Sequence, residues 1–204
     1  LDRLWEGWYV DERALTVRRA FDSIAPNASA TELFPDFSSE SVRRRIEAIP
    51  SDGGSWMDLL KREDADRLLT DSMKRIVERN RFGSYPDVYG RMAWDKPAPT
   101  IKRECAHVGN GRYAHPENHR LCSVREMAIL QGFPNDFEFN GSSLANTYRH
   151  IGDAVPPLIS YQLACLCAWM LTGERPDMEE ILLPGTSIQP TDLLCSPQME
   201  LLYA

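Results

Sequence analysis

Apolar residues recur at helical spacing in three stretches of the first eighty residues. ERALTVRRAFDSI at 12–24 and ESVRRRIEA at 40–48 interleave them with arginines and stop near Pro26 and Pro50, which predicts two short helices. SDGG at 51–54 reads as a turn, and residues 56–79 return to helical periodicity with charge on the outer face. From Asn80 to His119 the pattern changes. Gly, Pro and aromatic residues separate the strand-like runs VYGRMAW and PTIKRECAHV. The Asn110-Gly111 pair predicts a tight hairpin turn, because both types tolerate positive φ. An irregular region with a few short strands is expected.

Residues 120–139, RLCSVREMAILQGFPNDFEF, carry a complete helix specification. Ser123 followed by Glu126 is a capping box: the hydroxyl accepts from an orphan N–H of the first turn and the glutamate reaches back to the cap residue. Met127, Ala128 and Leu130 supply the apolar face, and Gly132 stands where a left-handed terminator is wanted, which predicts a helix at 124–131. Arg125 is expected to pair with a nearby carboxylate or carbonyl. Phe133 and Phe137 bracket a Phe-Pro turn that helix rules do not require.

Further on, IGDAVPPLISYQLACLCAWML at 151–171 puts Pro156 and Pro157 at the start of a helix and then runs apolar on nearly all sides. Such a helix belongs inside a large core. This chain is too small to surround it, so part of that core is expected from a partner or from further sequence. After Thr172, four prolines and an acidic bias predict a tail that is loosely ordered or docked on another surface.

With 204 residues and 43% hydrophobic content, one large or two small domains are within reach. The net charge of -7 argues against a wholly basic nucleic-acid binder, but the average hides an asymmetry. Residues 151–204 hold one basic and seven acidic side chains, leaving 22 basic and 23 acidic in residues 1–150. Five cysteines without a CxxC pair indicate neither a disulfide framework nor a zinc site, and no metal site is expected. A reducing, cytoplasmic setting fits, with no signal peptide and no confident membrane span. The chain opens on Leu1 rather than Met, so sequence upstream is expected.

Three blocks, in order, resemble the C-terminal part of the DNA cytosine-5 methyltransferases. RLCSVREMAILQGFPNDF is similar to that family's ninth motif and IGDAVPPLISYQLA to its tenth. YGRMAWDKPAPTIKRE with GNGRYAHPENHR is similar to the end of the target-recognition region, including a Thr-Ile pair at Thr100 and Ile101. The resemblance implies a mixed α/β chain. In it, a small irregular α+β recognition domain is joined to C-terminal helices that complete a Rossmann-like, S-adenosylmethionine-dependent domain. It divides the chain into a catalytic-domain segment (1–30), the recognition domain (31–122), a hinge with the ninth-motif helix (123–150), a returning tenth-motif helix (151–172) and an acidic tail (173–204).

The implied partner is double-stranded DNA, and Arg91, Lys102, Arg103, Asn110 and Arg112 are the candidates for contacting it. Arg can fork onto guanine and Asn onto adenine, while any Lys or Arg can hold phosphate; the alternative is an ordinary solvated surface. Thr100 and Ile101 either begin a strand or support the space left by a flipped base. Ser123, Arg125, Glu126, Gln131, Gly132, Phe133 and Pro134 are implied as an architectural hinge between domains. Gly152, Asp153, Ala154 and Val155 are the candidate contacts to S-adenosylmethionine, or else a tight turn before the last helix. Asp153 stands where the family more often has Asn, and a carboxylate cannot donate a hydrogen bond.

The family's chemistry uses a Pro-Cys nucleophile, a Glu-Asn-Val block, a Gln-x-Arg-x-Arg block and a glycine-rich cofactor turn, none of which this sequence contains. No residue here is expected to be catalytic. The expectation is a DNA-recognition and C-terminal portion that methylates cytosine C5 only with a catalytic half, in a restriction-modification or related bacterial setting in the cytoplasm or at the nucleoid. The alternative is a non-catalytic DNA- or protein-binding module derived from the family.

Overall fold

Short helices, most of them started by side-chain caps, are the main regular structure among the described residues. The computed structural model describes residues 2–24, 33–81, 87–140 and 143–196. Helix α1 (Asp2–Trp5) leads into strand β1 (Trp8–Val10) and a 3-10 turn over Glu12–Leu15. Helix α2 (Val17–Asp22) begins afresh because Thr16 is extended and its hydroxyl accepts from the Arg19 N–H at 3.3 Å. The single helix expected at 12–24 is thus two pieces. Helix α3 (Glu40–Ala48) starts at Ser39 and matches the expected 40–48.

The periodic stretch 56–79 is also broken by its own caps. A Ser55–Asp58 capping box opens a 3-10 turn at Trp56–Lys61, and helix α4 (Ala65–Leu68) follows. Thr70 then caps helix α5 (Asp71–Glu78), its hydroxyl accepting from the Met73 N–H at 3.2 Å. Side chains that bind nearby backbone donors compete with a continuous helix, and here they win.

From residue 87 to the ninth-motif helix the backbone is irregular, as expected, but the expected short strands reduce to single bridges pairing Arg91 with Ala114 and Ala114 with Leu121. The expected hairpin turn at Asn110-Gly111 is not formed. Val108–Asn110 is a 3-10 turn, and Gly111 is extended at φ 170°. Gly111 is needed for space instead: a Cβ there would lie 2.5 Å from the Tyr113 ring. The reversal comes later, where Tyr113 O accepts from Cys122 N–H and His115 N–H donates to Arg120 O. The amides of Glu117 and Asn118 close it by donating to His115 Nδ1 at 3.0 and 2.9 Å.

Helices α6 (Val124–Leu130), α7 (Leu144–Asp153) and α8 (Pro157–Thr172) complete the helical part. Strand β2 (Leu193–Cys195) returns to pair antiparallel with β1, aligning Trp8 with Cys195 and Val10 with Leu193. This two-stranded ribbon is the one sheet among the described residues. The acidic tail therefore docks on the chain's own N-terminal segment, burying Ile181 and Leu182. Asp11 N–H donates to Asp192 O, and Arg19 faces the Asp192 carboxylate at 3.5 Å.

The core gathers around Trp56, Met92, Tyr113, Met127, Tyr148 and Ile151, all fully buried. Arg91 lies among them with 0% exposure, which corrects its assignment to base reading. Its guanidinium donates to the carbonyls of Ile46, Ile49, His115 and Asn118 at 2.7–3.1 Å and to His119 Nδ1 at 2.6 Å. Buried carbonyls need donors, and a planar group with five N–H bonds fills several at once.

Helix α8 contrasts with this core. One side is covered: Gln162 is buried and accepts from Trp5 Nε1 at 3.3 Å, and Arg175 packs over Trp169. The opposite side leaves Ile159, Leu163, Met170 and Leu171 exposed, the last at 88%. Among the described residues no single helix is long and apolar enough to cross a membrane, although α7 and α8 pass that test jointly, bent by 43°.

Arg91→Met should lower the unfolding free energy by about 3 kcal/mol or more in urea denaturation, because it strands several buried carbonyls. Arg112→Met, which removes only a surface ion pair with Asp87, should cost under about 1 kcal/mol.

Candidate nucleic-acid interface

The ninth-motif block is organised by one buried carboxylate. Glu126 closes the expected capping box, accepting from Ser123 N–H at 2.6 Å while Ser123 Oγ accepts from Glu126 N–H at 3.2 Å. Its two oxygens also take a fork from Arg120 at 2.7 Å each, and His115 Nε2 lies 3.7 Å away. The pairing of Arg120 with Glu126 has no signature in the sequence, because the two stand on different sides of the cap. His115 is wedged between Phe21 and Trp94, with ring centroids 5.7 and 5.5 Å away. Burial pushes its imidazole down to about 4, the Glu126 charge opposing this and the Arg120 and Arg91 charges reinforcing it.

Of the two partners expected for Arg125, the structure contains the carbonyls. Its guanidinium donates to Asn135 O at 2.6 Å and Phe137 O at 3.1 Å, which holds the Phe-Pro turn against α6. Phe133, Phe137 and Phe139 pack together with centroids 4.8–5.1 Å apart. Gly132 is left-handed at φ 86°, as a helix terminator should be. Asn135 reaches beyond the block, donating through Nδ2 to Ser23 O at 2.8 Å and to Gly185 O at 3.3 Å. Gln131 Nε2 donates to Ala154 O at 3.1 Å and so ties the ninth block to the tenth.

These ties enclose a groove of about 660 Å³. Its walls are the Leu15–Thr16 segment, Pro97–Ile101, the C-terminal end of α6 at Gln131–Gly132, and the turn between α7 and α8. Thr100 is exposed, with its carbonyl fixed by Tyr113 OH at 3.0 Å, and Ile101 is buried behind it. Gly152, Ala154 and Ile159 share the groove, which makes it continuous with the bare face of α8. Ser187 and Ile188 of the tail complete one rim, a contribution without any sequence signal.

The remaining candidates are distributed unevenly. Lys102 and Arg103 are exposed next to Thr100, but Arg103 pairs with the Asp153 carboxylate, so a candidate DNA contact and a candidate cofactor contact hold each other. Asn110 Nδ2 donates to Glu104 O at 3.3 Å, and Arg112 pairs with Asp87 at 3.0 Å. Gly152 has a packing reason for its identity: a Cβ would lie 2.2 Å from Lys102 O, so α7 meets the 102–103 backbone at van der Waals contact. Val155 is 62% exposed. Among the described residues no group of His, Cys, Asp and Glu could hold a metal ion.

A sequence model described as C-5 cytosine-specific DNA methylase matches residues 27–167. The chain is 37% identical over 166 residues to the type II methylase M.HgiDII of Herpetosiphon aurantiacus, covering 76% of this chain and 44% of that one. It is 44% identical over 96 residues to the type II methyltransferase M1.BsuMI of Bacillus subtilis strain 168, covering 47% of this chain and 22% of that one. It is 43% identical over 79 residues to DNA (cytosine-5)-methyltransferase 1 of Mus musculus, covering 38% and 5%. This chain thus spans less than half the length of the curated relatives it matches.

Gly152→Ala should force the Lys102–Arg103 backbone away and cost about 2 kcal/mol, read as a lowered urea midpoint. His115 should make stability depend on pH. Its imidazole titrates near 6.5 when unfolded and lower when folded, so the unfolded chain binds the extra proton between about pH 6.5 and 4. Stability should therefore fall as pH drops through that window, by up to about 1.4 kcal/mol per unit. The same titration on His115→Gln should be flatter.

Proposed function

This chain belongs to the C-5 cytosine-specific DNA methylase family, and on that premise we propose that it is the DNA-recognition and C-terminal portion of a DNA (cytosine-5)-methyltransferase. It acts with a catalytic portion that carries the Pro-Cys nucleophile, absent from these 204 residues. The observation that carries this reading is the apolar face of α8. Ile159, Leu163, Met170 and Leu171 stand bare, and the groove containing Thr100 opens beside them. Burying such a face is worth roughly 25 cal/mol per Å², and the apolar surface of a catalytic domain is a suitable cover.

In this arrangement the groove is the seam where recognition and catalytic portions meet over DNA. Thr100 and Ile101 line it, supporting the strand around the target base. Lys102, Arg103, Asn110 and Arg112 form the reading edge. The partners of Arg103 and Arg112 are surface carboxylates that a phosphate or guanine edge can replace at little cost, since exposed ion pairs contribute about 0–1 kcal/mol, and exposed Asn110 is held by a hydrogen bond to the Glu104 carbonyl. The hinge block, from Ser123 to Pro134, sets the angle of that edge relative to α8 through Glu126, Arg125 and Gln131.

S-adenosylmethionine supplies the methyl group in this family. The residues present fit one edge of its site rather than a whole pocket. Gly152 and Ala154 line the groove beside exposed Val155, while the Asp153 carboxylate faces Arg103. The catalytic portion would hold the rest of the cofactor. That Asp153–Arg103 pair is also what favours the second reading, a non-catalytic module of the same descent, because it occupies the one charged side chain of the tenth-motif turn.

Co-expression of this chain with a portion containing Pro-Cys and Glu-Asn-Val blocks, followed by bisulfite mapping, should reveal methylated cytosines at a defined sequence. A correctly assembled pair that binds S-adenosylmethionine yet modifies no DNA would overturn the enzymatic reading and leave the module. Leu163→Glu should weaken that assembly at least tenfold, equivalent to about 1.4 kcal/mol, with this chain's own urea midpoint unchanged.

A further inference from the structure

Away from the groove, a second cavity of about 450 Å³ lies between α3, the Val108 turn and α7. We infer that this cavity holds a nucleobase of the bound DNA outside the base stack, gripped by Phe37 and Tyr89. The inference rests on the DNA-recognition reading and extends it to a site that reading does not use.

Four observations converge on this ligand. The volume falls in the range of small-molecule clefts, roughly 300–1,000 Å³. Phe37, Tyr89 and Tyr148 line the cavity, and two of these rings are backed by guanidinium groups, Arg43 lying 5.5 Å from the Phe37 centroid and Arg45 4.7 Å from that of Tyr89. A ring held by a cation on one face is a rigid platform, and aromatic platforms bind any base through its π-face. Tyr148 is fully buried and its hydroxyl donates to Cys122 O at 2.6 Å.

Tyr89 is placed at a cost to the backbone. It is left-handed at φ 52°, a conformation bulky residues avoid, and is pinned there by its N–H donating to Val108 O at 2.7 Å. Gly109 borders Tyr89, since a Cβ there would stand 4.0 Å from the Tyr89 hydroxyl with nothing nearer. At the rim, exposed His107 and Asp36 offer polar groups to a base edge.

Position supports nucleic acid over a peptide side chain. Residues 100–109 contribute Thr100 and Ile101 to the groove and Ala106 to Gly109 to this cavity, so one segment borders both. Arg43 over the Phe37 ring, and Arg112 paired with Asp87 two residues before Tyr89, are cations offered to a phosphate backbone leading to the cavity.

The test compares two DNA duplexes of the same sequence, one fully paired and one with a single bulged adenine, each titrated into the full chain and followed by amide NMR. The bulged duplex should bind about tenfold tighter and shift the Gly109 and Leu144 amides. Phe37→Leu, which keeps apolar volume but removes the ring, should abolish the preference, and Tyr89→Phe should retain it. Equal binding of both duplexes with no shift at the cavity overturns this inference while leaving DNA recognition intact. Binding of neither duplex overturns both. If free indole shifts the cavity amides and the bulged duplex does not, the site takes a protein side chain and the inference fails.

Discussion

The irregular region from residue 87 to residue 122 depends on one buried guanidinium. Arg91 sits at the centre of a region almost without ladders, where backbone carbonyls from the end of α3 and from the 115–119 reversal point inward. A sheet would satisfy those groups along its edges; here a single side chain does so. Unpaired polar groups in a low-dielectric interior are costly, which is why an irregular fold of this kind needs a multivalent donor at its core.

From that centre the order propagates by shared partners. His115 gives its carbonyl to Arg91, its Nδ1 to the turn amides of Glu117 and Asn118, and its Nε2 side to Glu126. Glu126 in turn caps α6 and holds Arg120, while Arg125 on the same helix secures the Phe-Pro turn and Gln131 at its end reaches Ala154. Residues 87–122, the ninth-motif block and the turn before α8 are therefore joined by a chain of hydrogen bonds.

The tail adds a brace that the family match, ending at residue 167, does not include. It pairs β2 with β1, meets Asn135 through Gly185 and lends Ser187 and Ile188 to the groove rim. Its docking covers one side of α8 and leaves the other bare, so the chain has a finished interior and an unfinished flank. The contrast between buried Gln162 and exposed Leu163, neighbours on one helix, marks the boundary.

Local interactions were legible in the sequence because their partners lie within a few residues. The Ser123–Glu126 box, the left-handed Gly132, α3 and the proline start of α8 all follow from spacing, and the three ordered blocks carried the family resemblance. Even the misfit of an all-apolar helix in a small chain was readable, since hydrophobic content can be weighed against the volume available to bury it. Tertiary structure alone decided the rest. It sent Arg91 inward, moved the hairpin from Asn110 to the His115 reversal, joined Arg103 to Asp153, made Gly152 a packing glycine and brought the tail back to β1. All but the His115 reversal turn on partners distant in sequence, and an arginine carries the same letter whether its donors face phosphate or the carbonyls of its own chain.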